Sequence, residues 1–152
     1  MTLLLETIHT QRQHKMSHQI KLKHIQVTDL TLSAGSFDKG ITNNLKTAFG
    51  FGPGFADEYN RSFLIFFDLT LENHEKGFIL KIKSTAHFET DAEIDEDFKN
   101  SSFVKISAPA IAFPYIRTFI SNLTLNSGYE PIILPSFNFV KMSEEGSNTL
   151  EK

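Results

Sequence analysis

The chain has 152 residues, 40% of them apolar, and a formal net charge of −3. That is enough for one domain with one core and too little for two. Without a basic block it has no electrostatic footprint for nucleic acid, and without cysteine it can form neither disulfides nor thiolate metal sites.

Apolar runs are short for a bilayer crossing, and the first 16 residues lack the basic and apolar regions of a signal peptide. A cytosolic protein with no membrane insertion is therefore expected. The composition is skewed towards rings: 15 Phe and no Trp, more than a small core needs. Some of those rings are expected on a binding surface or a subunit interface.

Residues 1–18 read as a peripheral segment, with Leu4, Leu5 and Ile8 on one face of a short helix and Met16 as a second candidate start. His9, His14 and His18 lack a carboxylate at matching spacing and read as solvated polar residues, not metal ligands. From Ile20 to Leu32 the pattern alternates but changes phase twice. Ile20 and Leu22 share one parity, Ile25 and Val27 the other, and Leu30 and Leu32 return to the first. Period two with two slips predicts a long strand interrupted by bulges.

Residues 33–60 carry the weakest pattern. Gly50, Gly52 and Gly54 surround Pro53 and alternate with Phe49, Phe51 and Phe55. Glycine and proline argue against a central strand, so an edge strand or an ordered loop presenting aromatics is expected. "SFLIFFDLTLE" (62–72) and "FILKIKSTAHFE" (78–89) alternate across the short polar turn "NHEKG", which predicts an antiparallel hairpin. Leu64 and Phe66 make the start of the first strand apolar on both faces, as if covered twice.

Six acids between Glu89 and Asp97 resemble a calcium loop only superficially. Counting from Asp91, the glycine position is Glu96 and the closing Glu position is Ser102. An acidic connector or short helix is expected, and no metal.

Ala112, Phe113, Ile116, Phe119, Ile120 and Leu123 fall at helical spacing, and Gly128 is placed to end that helix. Pro114 lies either in its first turn or inside a helix begun near Pro109. Beyond it, Pro131 and Pro135 flank Ile132, Ile133 and Leu134, which predicts an extended apolar connector. No nucleophile elbow, zinc motif or phosphate loop is present, so no catalytic residues and no cofactor are expected.

The stretch "APAIAFPYIRTFISNLTLNSGYEPIILPSFNF" (108–139) resembles the SecB protein-export chaperone family. Matching positions are Pro109, Phe113, Pro114, Tyr115, Arg117, Gly128, Pro131, Leu134, Pro135, Asn138 and Phe139. "LKHIQVTDLTL" is similar to that family's first strand, and "FILKIKSTAHFET" with "DAEIDEDF" to its fourth strand and acidic connector. Three positions depart from the pattern: Ala108 replaces a Cys, Val140 an Asp, and Ser33 a Glu used in SecA contact.

The resemblance implies an α+β protomer, with a four-stranded antiparallel sheet packed against a long helix and a short or truncated last helix. It implies a chaperone domain over 19–142 followed by a polar tail, 143–152. It implies a homotetramer, a dimer of dimers with the long helices between the sheets, with Phe113, Tyr115, Ile116, Phe119 and Ile120 on the assembly helix. Function would be ATP-independent holding of unfolded or precursor polypeptides in the bacterial cytosol for delivery to SecA. Phe49, Phe51, Phe55, Ile132, Ile133 and Leu134 would line the client groove, and Asp29 and Glu75 would contact SecA. The alternative is a SecB-like chaperone dedicated to one partner, such as an antitoxin. An enzyme would need an enclosed pocket with converging polar groups.

Overall fold

The computed structural model describes residues 18–35 and 45–145, together with the backbone of 149–151. The readings made for residues 1–17, including the helix around Leu4, Leu5 and Ile8, lie outside the described residues. Five antiparallel strands run β1 (Ile20–Ala34), β2 (Leu45–Gly54), β3 (Ser62–Asn73), β4 (Phe78–Thr90) and β5 (Thr149–Glu151), in the spatial order β1-β4-β3-β2-β5. Helix α1 (Glu96–Lys99) precedes a π-helical turn (Phe103–Ser107). The turn leads directly into α2 (Ala108–Asn126), and α3 (Phe139–Glu144) follows the connector.

The two phase changes in β1 are bulges. Its register against β4 shifts between Leu22 and His24 and again between Val27 and Asp29. Each bulge adds one residue, so Leu22, Ile25, Val27, Leu30 and Leu32 all stand opposite the inward residues of β4 (Phe88, Ala86, Ser84, Ile82 and Leu80). A strand that looked out of phase is thereby kept on one face.

The hairpin forms as its alternation predicts. Phe63, Ile65, Leu69 and Leu71 are buried opposite Phe88, Ala86, Ile82 and Leu80. Its turn closes on Asn73, whose side chain accepts from Lys76 N–H (2.9 Å) and whose carbonyl accepts from Gly77 N–H (2.9 Å). Gly77 has φ +72°, a conformation in which a Cβ would be strained.

β2 is a full strand of ten residues paired with β3 without a register break. Among the described residues its outer side is an edge except where the short β5 joins it. The polar tail is therefore not wholly separate from the sheet: 149–151 add a fifth strand to the expected four.

Asp95 caps α1 by accepting from Phe98 N–H (2.8 Å), and Phe98 is buried edge-on to Phe63 at 5.6 Å. Pro109 sits in the first turn of α2, while Pro114 is inside it. Gly128, at φ +89°, ends α2. Tyr129 N–H bonds the Thr124 carbonyl (3.0 Å) and Gly128 N–H the Leu125 carbonyl (3.1 Å), the paired bonds of a Schellman end. Tyr129 then packs on Phe78 at 4.4 Å.

By length and hydropathy the run Glu96–Asn126 could cross a bilayer, which the short apolar runs did not suggest. Phe113, Ile116 and Ile120 turn its apolar face into the core beneath the sheet. At ~1.5–3 kcal/mol for each such side chain buried, that packing accounts for part of the hydropathy; Ile111, Tyr115, Phe119 and Leu125 stay exposed.

Thr124 ties the connector to the helix. It is fully buried, donates to the Ile120 carbonyl (2.9 Å) and accepts from Ile132 N–H (3.0 Å). Thr124→Val keeps the shape and leaves the Ile132 N–H without its partner, so a loss of about 1–3 kcal/mol is expected in urea unfolding. A change below about 0.5 kcal/mol would show that water replaces the bond.

Candidate functional site

Apolar surface gathers in three places. The first is on α2, where Ile111, Tyr115 and Phe119 succeed one another at intervals of four and form an exposed stripe beside the buried face. Of the five assembly-helix residues, Phe113, Ile116 and Ile120 are core side chains of the protomer, and Tyr115 and Phe119 are outside. The apolar arc is wider than the face the sheet covers, so helical spacing alone did not separate the two groups.

The second is the connector. Ile132 and Leu134 are buried, while Ile133 between them is 73% exposed. Extended backbone turns successive side chains to opposite sides, and the Thr124 bond holds Ile132 on the inner side. Ile132 and Leu134 are thus corrected from groove lining to core. A nearby cavity of about 400 Å³, bounded by Ile106, Ala110, Phe137, Phe139 and Val140, opens between the start of α2 and the end of the connector.

The third lies around β2. Phe49 is only 1% exposed, stacked on Phe137 with ring centres at 4.5 Å and edge-on to Phe113 at 5.4 Å. It is a core residue and does not line a groove. Phe51, half-buried, meets Phe139 at 5.3 Å, and Phe55, also half-buried, stacks on Phe63 at 6.0 Å. Most of the expected surplus rings, among them Phe63, Phe67, Phe78 and Phe88, are in the core.

The other face of the sheet holds a ring the candidate groove residues omitted. Phe66, 47% exposed, lies over the side-chain-free backbone of Gly54, where a Cβ would collide with its ring. A cavity of about 490 Å³, bounded by Phe55, Tyr59, Leu64, Phe66 and His87, lies on one side of it. Another, of about 340 Å³, has Gly50 and Gly52 on its wall. The signal was the apolar start of β3 on both faces; among the described residues nothing buries Phe66 on the second face.

Among the described residues, the polar groups here are paired with one another across the sheet. Asp68 and Lys83 pair across β3 and β4 at 3.9 Å. His87 stacks on His24 at 4.0 Å and shares a hydrogen bond with the Thr85 hydroxyl (3.3 Å). Among the described residues no group of three His, Asp or Glu could hold a metal. His18 packs against the Phe98 ring at 5.0 Å, so it is half-buried and not simply solvated.

His87 titrates below the ordinary imidazole value of 6.5, first because burial disfavours its cation and second because His24 repels it. As pH falls through 6.5 the unfolded chain binds this proton before the folded one, so His87 makes stability fall in that window. Urea midpoints at about pH 7.5 and about pH 5.5 should differ less in His87→Gln than in the parent. An equal difference would exclude His87 as a source.

Asp29 is exposed on β1 opposite Lys83, and Glu75 is exposed in the β3–β4 turn beside Lys76 at 4.0 Å. Ala34 pairs with Phe78 at the turn, and Asp29 is five residues away from Ala34. The two acids are therefore separated by roughly 15 Å or more along the sheet and form no single acidic cluster.

A family model described as preprotein translocase subunit SecB matches residues 11–148. The chain is 33% identical over 71 residues to the protein-export protein SecB of Anaplasma phagocytophilum, 45% of this chain and 44% of that protein. It is 43% identical over 44 residues to an uncharacterised protein of Methanocaldococcus jannaschii, 29% of this chain and 28% of that protein. The matches thus span less than half the length of each of these curated relatives. A SecB-like chaperone from Mycobacterium tuberculosis, solved in complex with a ChAD peptide from an antitoxin, superposes with a TM-score of 0.58 at 17% identity, over 78% of this chain and 90% of that one. At that identity the likeness is one of fold.

Proposed function

This chain belongs to the SecB family, and on that premise we propose that it is an ATP-independent holdase. It binds unfolded or precursor polypeptides through apolar surface and releases them without chemistry. The observation that carries this reading is Ile133. An isoleucine 73% exposed between two buried neighbours, in a connector held extended by flanking prolines, presents apolar surface that another chain can cover. Phe51 on β2, Phe55 just past it and Phe66 on β3 are further partly exposed rings. Unfolded clients offer apolar side chains and free backbone, and surfaces of this kind take both without specific polar contacts.

The working form is a cytoplasmic homotetramer, a dimer of dimers, with the exposed stripe of α2 as one contact. Delivery to SecA is the export role that the family resemblance supports. A second reading, a chaperone dedicated to one partner such as an antitoxin, is favoured by the M. tuberculosis complex and by Ser33, where the family resemblance places a SecA-contacting Glu.

The test is aggregation of a thermally unfolded protein with and without the chain, in the absence of nucleotide. Suppression near stoichiometry is expected, and Ile133→Ser is expected to weaken it. No suppression and no binding to any unfolded chain would remove the holdase reading. Measured affinity for purified SecA supports the export role, and tight binding confined to one short apolar segment supports the dedicated one.

A further inference from the structure

The outer edge of β2 is partly occupied by β5 of the same chain. Glu151 stands opposite Ala48, Leu150 opposite Phe49 and Thr149 opposite Gly50, in antiparallel pairing. Leu150 is the one aliphatic residue after Met142, and it falls at the register position of the central aromatic of β2.

The two long edges of the sheet are not equivalent. β1 is broken by two bulges, a feature that blunts an edge against pairing. β2 runs against β3 for ten successive residues without a shift. On the open face its positions 50, 52 and 54 are glycines, and nothing lies within 4 Å of where a Cβ of Gly52 would stand. On the core face its positions 49 and 51 are phenylalanines. An incoming strand would meet bare backbone at Gly52 on one side, up to the Phe66 ring over Gly54, and rings on the other. Pro53, which has no N–H to give, limits the ladder at its far end. Among the described residues, β5 lies along only Ala48–Gly50 of this edge.

We propose that Thr149–Glu151 is a tethered stand-in for a client: it covers the β2 edge in the resting chain, and an extended apolar polypeptide segment displaces it by adding as a strand along residues 48–54. The inference rests on the client-binding reading above and locates backbone recognition on the protomer. Main-chain hydrogen bonds would supply affinity, and alternate side chains would be read beside the half-buried ring of Phe51. A short tether gives the tail a high local concentration. Three pairs remain few enough for a longer strand to replace. Covering the edge between clients also restrains edge-to-edge aggregation of the chaperone itself.

The test uses the full chain and a labelled synthetic peptide of alternating Leu and Thr. Because the chain has no cysteine, the double variant Ala48→Cys with Glu151→Cys can be oxidised at one place only. Locking the tail is expected to weaken peptide binding about tenfold or more, with recovery on reduction. Successive amides of a strand point to opposite sides, so Thr149→Pro and Leu150→Pro are made separately. The one that removes an N–H facing β2 is expected to tighten binding about three- to tenfold. Equal affinity of oxidised and reduced forms, or failure of the crosslink to form within one chain, would overturn the proposal and leave the holdase reading standing. Absence of peptide and unfolded-protein binding in the reduced form and both proline variants would overturn both.

Discussion

Phe49→Ala is expected to destabilise the protomer by about 3–5 kcal/mol. Phe49 is 1% exposed and is met by the rings of Phe67, Phe113, Phe137 and Phe139, which come from β3, α2, the connector and α3. Removing its ring opens a cavity where four elements join, and no one of them can close it without moving the others. Stabilities of such domains are typically ~5–15 kcal/mol, so this one change would remove a large share. Guanidinium unfolding should show a lower midpoint with an unchanged slope. Phe66→Ala is the comparison: that ring is half in solvent and should cost less than about 1 kcal/mol. Similar losses at the two positions would mean that Phe49 does not join these elements.

The second large effect concerns assembly. In the tetramer proposed above, Tyr115→Asp together with Phe119→Asp is expected to leave the protomer folded and to lower its mass in solution, read by light scattering. Both side chains are exposed, so two carboxylates there cost the isolated protomer little. Buried between subunits, each would have to give up its hydration, at several kcal/mol without a partner. Ile116→Asp, at a position only 3% exposed, should instead unfold the protomer. A tetramer that persists in the double variant would place the subunit contact elsewhere than on this stripe.

The elements were legible because their signals are local. β1 with its two slips, the β3–β4 hairpin, the acidic helix, the long helix and its glycine end each follow from a few neighbouring residues. β2 was harder to read. Its glycines lower strand propensity, and its ten pairs with β3 are long-range contacts that outweigh that preference. The fifth strand was not legible at all: three residues of a polar tail carry no pattern, and their pairing depends on an edge about a hundred residues earlier in the chain.

Candidate functional residues were legible as a set and not one by one. Periodicity marks a residue as apolar and states which neighbours share its side; it does not state which side faces inward. Ile132, Ile133 and Leu134 are alike in chemistry, and the bond from Ile132 N–H to Thr124 sets the middle one outside. Along α2 the apolar arc holds more residues than one packing face can cover, and contact with the sheet takes Phe113, Ile116 and Ile120 and leaves Tyr115 and Phe119. Most of the elements, the proline-held connector and the family resemblance can be read from the residues alone, because these rest on local stereochemistry and on motif spacing. Which rings became core and which stayed on the surface was set by long-range contacts. That choice depends on where a second element comes to rest, and burial stabilises only the side that meets it.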